Sequence, residues 1–332
     1  MSKLYLTGGE LRRSTFFKLE EWQSSQKAVI LELDLDTKSS RSFVEYVSPP
    51  EVRAPELPAI LFKSATLHGG KLYACTSTEV LVYSVPDFRL LHYVALPCFN
   101  DLHHVCPTPQ GTMLVVVTGL DMVVEVTCDG KLLREWSVLQ GTNPWARFSR
   151  DIDYRRVPTT KPHHSHPNYA FQLDDEVWVT RFEQRDAISL THPGRRIDIA
   201  VQRPHDGHVL GNSIYFTTVD GHIVVANRKT LKVETVYDLN AMTMNRETQQ
   251  PLGWCRGLAV VDDRHFWVGF TRVRPTRFRE NLTWLRTAGT SDELLLPTHL
   301  SLYDLHRGRE VDQIPLEPHG LGIVFSLILA GS

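Results

Sequence analysis

A repeated pairing of two short strands constrains the fold of this chain more than any other feature of its sequence. A polar segment leads into a short apolar run, then a tight turn, then a second apolar run with an aromatic residue near its start. The pattern is clearest at 166–180, 205–217 and 254–268. Apolar and β-branched runs of about five residues, broken by Gly, Asp, Asn or Pro, are typical of β-strands. No segment has the period of a long amphipathic helix, so the sequence predicts an all-β fold.

Six such units follow one another, separated by insertions of different lengths. The later five begin, in order, at Ala59, Leu102, His166, His205 and Trp254. The first unit, within residues 3–47, lacks an innermost strand, and residues 319–325 have the pattern of the missing strand. A C-terminal strand that completes the N-terminal blade would close the ring and remove the open sheet edges. We therefore predict one domain over residues 1–332, a six-bladed β-propeller closed in this way.

Insertions interrupt the repeated units and leave the blade count open to one alternative. They cover residues of about 7–27, 139–165, 241–252 and 272–299. A seventh blade would result if the last of them contains another unit, whereas a β-sandwich uses fewer four-stranded units than this chain provides. Long insertions in a compact domain are usually covers or binding surfaces. Trp145, Phe148 and Tyr154 favour an ordered cover for the second, and the first has the composition of a short amphipathic helix.

Composition excludes several classes of function. The formal net charge of the 332 residues is -2, so no general attraction to nucleic acid or to an anionic membrane is expected. The longest apolar run, residues 323–330, is far shorter than the roughly 20 residues that span a bilayer. The N-terminus lacks the pattern of a signal peptide, and the five cysteines include no CxxC pair. These features predict a cytoplasmic protein with free thiols and a small-molecule ligand.

Histidines occupy matching places at the starts of four of the six predicted innermost strands. They are His104, His166, His205 and His319. The pattern does not decide between His104 and its neighbour His103, or between His205 and His208. Inner strands of a propeller line its central channel, so these side chains are expected to meet at one axis.

Convergent imidazoles predict a transition-metal site on that axis. Imidazole is the commonest metal ligand in proteins, and several neutral imidazoles suit Fe(II) or Zn(II) better than Mg²⁺ or Ca²⁺. The alternative is structural, because polar residues in a channel often bond only to ordered water and to backbone groups. No local metal motif such as HExxH is present, so the metal prediction depends on the fold.

Further polar residues near the predicted centre are candidates for catalysis and for substrate binding. Asp206 could orient a ligand imidazole or act as a general base, with His208 beside it, and Arg256 could hold a carboxylate or phosphate group. The predicted substrate-binding residues are Arg256, Trp254, Asn168 and Arg181. The alternatives are a plain turn at Asp206, an ion pair of Arg256 with the channel wall, and a solvated turn at Arg181. No glycine-rich phosphate loop, GxSxG elbow or dinucleotide fingerprint occurs.

The six repeated units resemble the six-bladed β-propeller group that includes gluconolactonase-like and strictosidine-synthase-like proteins. Gluconolactonase-like members hold a divalent cation on the axis with carboxylate and Asn ligands, and the resemblance implies an axial site here too. The four histidines of this chain are more similar to the iron site of carotenoid cleavage oxygenases, which have seven blades and a longer chain.

Three hypotheses for function follow from the sequence. The first is a metal-dependent enzyme that acts on a small polar or carboxylate-bearing molecule by hydrolysis, elimination or oxygenation. The second is a non-catalytic scaffold whose insertions form a binding surface. The third is a metal-free lyase or cyclase that uses His and Asp as acid and base.

Overall fold

The chain folds into six four-stranded antiparallel sheets arranged as the blades of a β-propeller, which confirms the predicted fold. The computed structural model describes residues 3–12, 23–243, 252–273 and 296–330. Within these ranges the regular helices are one short α-helix, α1 (Leu239–Met242), and 3₁₀ turns at Pro50–Val52, Thr118–Leu120, Tyr154–Arg156 and Glu317–His319. No helix in the described part is long and apolar enough to cross a membrane.

Within each blade the four strands follow one another from the central axis outward. Blade one contains β24 (Ile323–Leu329), β1 (Lys3–Leu11), β2 (Ser25–Asp34) and β3 (Ser40–Tyr46). Blade two contains β4 (Ala65–His68), β5 (Lys71–Cys75), β6 (Val80–Ser84) and β7 (Leu90–Val94). Blade three contains β8 (Leu102–Pro107), β9 (Thr112–Val117), β10 (Met122–Thr127) and β11 (Leu132–Ser137).

Blades four to six repeat this order. Blade four contains β12 (Pro167–Leu173), β13 (Glu176–Arg181), β14 (Asp186–Ser189) and β15 (Arg196–Asp198). Blade five contains β16 (His208–Leu210), β17 (Ser213–Thr218), β18 (His222–Asn227) and β19 (Val233–Asp238). Blade six contains β20 (Trp254–Val260), β21 (His265–Thr271), β22 (His299–Asp304) and β23 (Arg309–Pro315).

The last strand closes the ring, as the sequence predicted. β24 pairs antiparallel with β1 from Leu4 opposite Leu329 to Gly9 opposite Ile323. It also contacts β20 of blade six and β4 of blade two, so blade one lies between them. The alternative of a seventh blade depended on the insertion at 272–299, of which residues 274–295 lie outside the described residues.

Packing between blades explains which strands are apolar throughout. β9 and β10 are covered on both faces by neighbouring sheets, and nearly every residue in them is buried. The outermost strands have one face in solvent, and β19 accordingly has mostly exposed and half-buried residues.

Two predicted boundaries were wrong. The innermost strand of blade two is β4, whereas the predicted residues 59–62 form an irregular segment whose Phe62 N–H donates to the Gly8 carbonyl oxygen at 2.9 Å. Strands β1 and β2 also occupy much of the predicted insertion at 7–27. The predicted amphipathic helix falls mainly on residues 13–22, and the insertions at 241–252 and 272–299 fall mainly on 244–251 and 274–295, all outside the described residues.

A buried imidazole in blade six leads to a prediction about pH. His299 is 1% exposed, stacks on the Phe270 ring with 5.1 Å between centroids, and donates from Nδ1 to the Pro297 carbonyl oxygen at 2.7 Å. Burial lowers the pKa of His299 to about 4. The unfolded imidazole titrates near 6.5, so the unfolded state binds more protons between these values and stability falls as the pH falls.

We expect this one residue to remove about 2 kcal/mol of stability between pH 7 and pH 5. The measurement is urea unfolding of the wild type and of His299→Asn at both pH values. The variant keeps an amide donor for Pro297 but has no titrating group. An equal loss of stability in both proteins would contradict the prediction.

Candidate metal centre in the central cavity

A cavity of about 730 Å³ lies at one end of the propeller axis. Its walls come from the starts of the inner strands, from the irregular segment around residues 53–63 and from the insertion at 139–165. Five histidines contribute to the lining, namely His103, His163, His164, His166 and His205. Histidine is therefore the most frequent polar residue on its surface, and the cavity has the volume of a small-molecule site.

β-Bulges in the inner strands direct several of these side chains into the cavity. In β8, Leu102 lies opposite Val117 and His104 opposite Val116, so His103 is an extra residue. Similar register shifts occur in β20 between Cys255 and Leu258, and in the pairing of β24 with β1. A bulge interrupts the alternation of a strand and redirects side chains at its inner end. Arg256 and Phe325, which fall at the last two bulges, also line the cavity.

The loop that carries three of the histidines is held by one carboxylate. Asp121 is 3% exposed and accepts hydrogen bonds from the backbone N–H groups of His164, Ser165 and His166 at 2.8–3.0 Å. The Asp121 carboxylate also forms an ion pair with Arg147, whose Nη1 lies 2.7 Å from Oδ2 of Asp121. The backbone of His166 is left-handed, with φ of 54°. These bonds compensate for that conformation and fix His163 and His166 in the cavity wall.

Asp101, His163 and His166 form a group with the composition of a metal site. One potential ligand atom from each residue lies within 4.8 Å of those of the other two. The Nδ1 atoms of His163 and His166 are 2.9 Å apart, so one ring donates a hydrogen bond from Nδ1 to Nδ1 of the other. Two imidazoles and one carboxylate are the ligand set of many non-haem iron sites, and zinc also accepts it.

Lys63 and His103 border this group. The Lys63 ammonium forms an ion pair with the Asp101 carboxylate, and its Nζ lies 3.4 Å from Nδ1 of His103. His103 donates from Nδ1 to the Asp101 carbonyl oxygen at 2.9 Å, which leaves Nε2 as the unprotonated nitrogen. The His103 ring packs edge-on against the His166 ring, with 4.9 Å between centroids. The His103 ring thus lies beside the group of three but is not a member of it.

The protonation states favour a cation. Burial lowers the pKa of His166 well below its usual range, and His103 and His163 lower it further. Burial and the Lys63 ammonium have the same effect on the pKa of His103. Burial alone would raise the pKa of Asp101, but Lys63 and the neighbouring histidines hold that pKa well below its usual value. At neutral pH the group thus presents neutral imidazoles and an ionised carboxylate, the forms that bind metal.

A second arrangement, His205 with Asp206, lies on the same wall. Nδ1 of His205 is 3.3 Å from Oδ1 of Asp206, whose Oδ2 accepts from the Thr217 hydroxyl at 2.5 Å and from the Gly257 N–H at 2.8 Å. Burial raises the pKa of Asp206, but His205 first, and then His208 and the Thr217 hydroxyl, hold it at about 2. The ionised carboxylate places the proton of His205 on Nδ1, and Nε2 is buried without a hydrogen-bond partner in the described chain.

Three of the four predicted metal ligands, His104, His205 and His319, lie outside the group of three. His104 is stacked on Tyr169 with 3.6 Å between ring centroids, and its Nε2 lies 2.9 Å from the Thr66 hydroxyl oxygen. The bulge in β8 directs His103 into the cavity instead. His208, predicted as a catalytic residue, also lies beside the Tyr169 ring, with 5.1 Å between the ring centroids.

His319 was predicted to converge with the others, and this placement was wrong. It ends the 3₁₀ turn Glu317–His319, and its Nδ1 lies 2.9 Å from the hydroxyl oxygen of Ser40 at the start of the outermost strand of blade one. β24 begins only at Ile323, and its residues in the cavity lining are Ile323 and Phe325.

The predicted substrate-binding residues divide in the same way. Asn168, Trp254 and Arg256 line the cavity together with His166 and His205. The described lining does not include Arg181, which makes a two-point ion pair with the buried Asp186 at 2.7–2.8 Å and has a structural role.

Three residues of the site were not predicted from the sequence. Asp101 and His163 belong to the group of three, and Lys63 is its charged neighbour. One signal was present for His163, because it precedes His166 by three residues in a loop with proline at both ends. Asp101 gave no such signal, since it stands in a turn with φ of 50° before β8. Its proximity to His163 depends on the packing of blade three against blade four.

Comparison with known proteins supports the fold and does not identify the function. No protein-family model matches the chain, and no curated protein matches its sequence. Among solved structures, it is similar to a protein of unknown function from Bacteroides caccae, with a TM-score of 0.59 and 15% sequence identity. The similarity covers 100% of this chain and 99% of that one. At this level of identity it shows the propeller fold alone.

Proposed function

We propose that the protein is a metal-dependent enzyme that acts on a small polar molecule in the central cavity. The observation that carries the proposal is the group formed by Asp101, His163 and His166, with one ligand atom from each within 4.8 Å of the others. Residues from two blades converge there at the wall of a 730 Å³ cavity.

The donor set fits Fe(II) or Zn(II). Asp101, His163 and His166 would hold the ion, and an ion with an open position would supply Lewis-acid activation of a substrate oxygen or of water. The set combines two ligand types. Its carboxylate is similar to the ligands of gluconolactonase-like propellers, which are carboxylates and Asn, and its imidazoles are similar to the four histidines of carotenoid cleavage oxygenases. Neither resemblance therefore identifies the reaction.

A metal-free acid–base enzyme is the second candidate, and one contact favours it. The Lys63 ammonium already neutralises the Asp101 carboxylate, which does not then need a cation. In that case His205, oriented by Asp206, would be the proton acceptor. A metal ion would have to share Asp101 with Lys63 or displace it.

The test is the metal content of the purified protein after reconstitution with Fe(II) or Zn(II). We expect about one ion per chain in the wild type. Loss of an outer partner alone costs about 10–100-fold in metal affinity, so His163→Ala and Asp101→Asn, which remove direct ligands, should each cost about 100-fold or more.

His319→Ala is the matched control, because it removes a histidine that lies outside the cavity. It should retain the metal of the wild type. Circular dichroism checks that each variant is folded. A wild type that binds no transition metal after reconstitution would exclude the metalloenzyme and leave the acid–base enzyme. Equal metal loss in His319→Ala and His163→Ala would show that the ion binds elsewhere.

A further inference from the structure

Three hydrogen bonds hold the buried carboxylate of Asp206 beside the imidazole of His205. Oδ2 accepts from the Thr217 hydroxyl at 2.5 Å and from the Gly257 N–H at 2.8 Å, and Oδ1 lies 3.3 Å from Nδ1 of His205. An ionised carboxylate only accepts hydrogen bonds, so the proton of the neutral imidazole lies on Nδ1. Nε2 of His205 therefore presents a lone pair and no proton.

This lone pair has no donor among the described residues. His205 is 2% exposed and lines the central cavity, and its Nε2 is buried without a hydrogen-bond partner. An acceptor left unpaired in a protein interior costs about 1–3 kcal/mol. Native proteins contain few such groups, and one that borders a cavity is a candidate contact for a bound ligand.

Asn168 gives the same wall a second acceptor of this kind. Its Nδ2 donates to the Pro204 carbonyl oxygen at 3.0 Å, which leaves the amide oxygen to face elsewhere. That oxygen is buried without a partner among the described residues, and Asn168 also lines the cavity. Since Pro204 directly precedes His205, the two acceptors belong to one part of the wall. Two unpaired acceptors there favour a ligand that donates hydrogen bonds.

Two further rings lie next to the His205 imidazole. Its centroid is 5.6 Å from that of Phe325 and 6.2 Å from that of His103, and the Phe325 and His103 centroids are 6.3 Å apart. All three residues line the cavity of about 730 Å³, a volume within the range of small-molecule pockets. The Phe325 ring offers apolar surface to the carbon skeleton of a ligand whose polar group reaches the imidazole.

A neutral donor fits this part of the cavity better than a cation. The Asp206 carboxylate is already occupied by its three donors. Among the carboxylates of the described lining, Asp101 pairs with Lys63, and Glu183 pairs with Arg203. A buried ammonium group needs a counter-charge, whereas a hydroxyl group does not. A ligand carboxylate or ether has only acceptors and would leave the imidazole lone pair without a donor.

We propose that the substrate of the cavity is an alcohol, whose hydroxyl group donates a hydrogen bond to Nε2 of His205. The inference rests on the proposed function, because it takes the cavity to be the substrate site of that enzyme. Asp206 is a positioning residue, since it holds the tautomer of His205 that accepts. The contact requires no metal ion, so it is measured on metal-free protein.

The first experiment measures the binding of benzyl alcohol, benzyl methyl ether and benzylammonium by isothermal titration calorimetry. Benzyl alcohol should bind with a Kd of about 1 mM, and the ether, which has no donor, about tenfold more weakly. Nitrogen NMR of isotope-labelled histidine side chains should show Nε2 of His205 unprotonated, with a signal that shifts when the alcohol is added. Its absence from the spectrum of His205→Gln assigns the signal.

Asp206→Asn tests the tautomer directly. The amide oxygen should stay with its two donors, the Thr217 hydroxyl and the Gly257 N–H, which turns the amide NH₂ group toward His205. The imidazole proton then moves from Nδ1 to Nε2, and Nε2 becomes a donor. Benzyl methyl ether should now bind within about twofold of benzyl alcohol.

Asp220→Asn is the matched control. Asp220 pairs with His222 of the same blade, with 3.0 Å between Oδ1 and Nδ1, and neither residue belongs to the described lining of the cavity. This variant should keep the tenfold preference for the alcohol.

Four results would overturn the proposal. They are equal affinities of the wild type for alcohol and ether, tighter binding of benzylammonium, a protonated Nε2 of His205, and no binding of the alcohol at about 20 mM. If Asp206→Asn does not fold, the spectrum and the three ligands of the wild type still decide.

Metal and alcohol are measured separately, so the two proposals can fail independently. A preference for the alcohol without any metal binding would exclude the metalloenzyme and support the hydroxyl contact. Metal binding with no preference for the alcohol would have the opposite meaning.

Discussion

Asp121→Asn is expected to lower the free energy of unfolding by about 3 kcal/mol and to reduce metal affinity by about 10–100-fold. The side chain of Asp121 contacts the proposed ligand His166 through the backbone N–H of that residue. It accepts three backbone N–H groups of the loop 164–166 and pairs with Arg147. An amide has one acceptor oxygen and no charge, so most of this anchoring is lost. The backbone of Asp121 is left-handed, with φ of 51°, a conformation that asparagine tolerates, so the change adds little backbone strain.

Arg147→Met separates the two functions of this carboxylate. Arg147 is 30% exposed in its side chain, and its removal leaves the three N–H bonds in place. We expect a loss of about 1 kcal/mol and a metal affinity within about threefold of the wild type. Urea unfolding and metal titration of both variants make the comparison. If Asp121→Asn binds metal as the wild type does, the loop is held by other contacts and the proposed positioning role is wrong.

Gly8→Ala is expected to destabilise the protein by about 3 kcal/mol, by preventing the close pairing of β1 with β24. A Cβ atom at Gly8 would lie 1.9 Å from the Ile323 carbonyl oxygen and 2.9 Å from its carbonyl carbon. Both atoms are backbone, so no side-chain rotation relieves the clash. Gly8 lies beside the register shift that directs Phe325 into the cavity.

The control for this prediction is Gly70→Ala in the turn between β4 and β5. No atom lies within 4 Å of the Cβ position there, and φ is 69°, so the cost is that of the left-handed backbone alone, about 1–2 kcal/mol. Hydrogen exchange of the β24 amides locates the effect. Faster exchange in Gly8→Ala and unchanged exchange in Gly70→Ala is the expected result. Similar exchange in both variants would contradict the role assigned to Gly8.

The blade architecture could be predicted from the sequence because it depends on local pattern. Apolar runs and turn residues gave the strands of blades three to six closely, and residues 319–325 pointed to the strand that closes the ring. The site was harder, since it depends on bulges and on contacts between blades. One extra residue in a strand reverses the face of every later side chain, which is why the alternation did not distinguish His103 from His104.

The residues of the proposed metal group show the same limit. His166 was predicted because it stands at the start of a strand, but its partners Asp101 and His163 belong to loops with no strand pattern. The loop that carries His163 is positioned by Asp121, a residue more than forty positions earlier in the chain. His319 had the expected sequence context, yet the chain turns before β24 and leaves it beside Ser40.

The sharing of one sheet by β1 and β24 has a consequence for synthesis on the ribosome. β1 is synthesised long before β24 and has no inner neighbour until β24 has left the exit tunnel, so the inner edge of blade one stays unpaired during that interval. Unpaired strand edges promote aggregation, and pairing between residues distant in sequence is slow. A pause in translation before residues 323–329 is therefore expected to prolong the exposure of this edge.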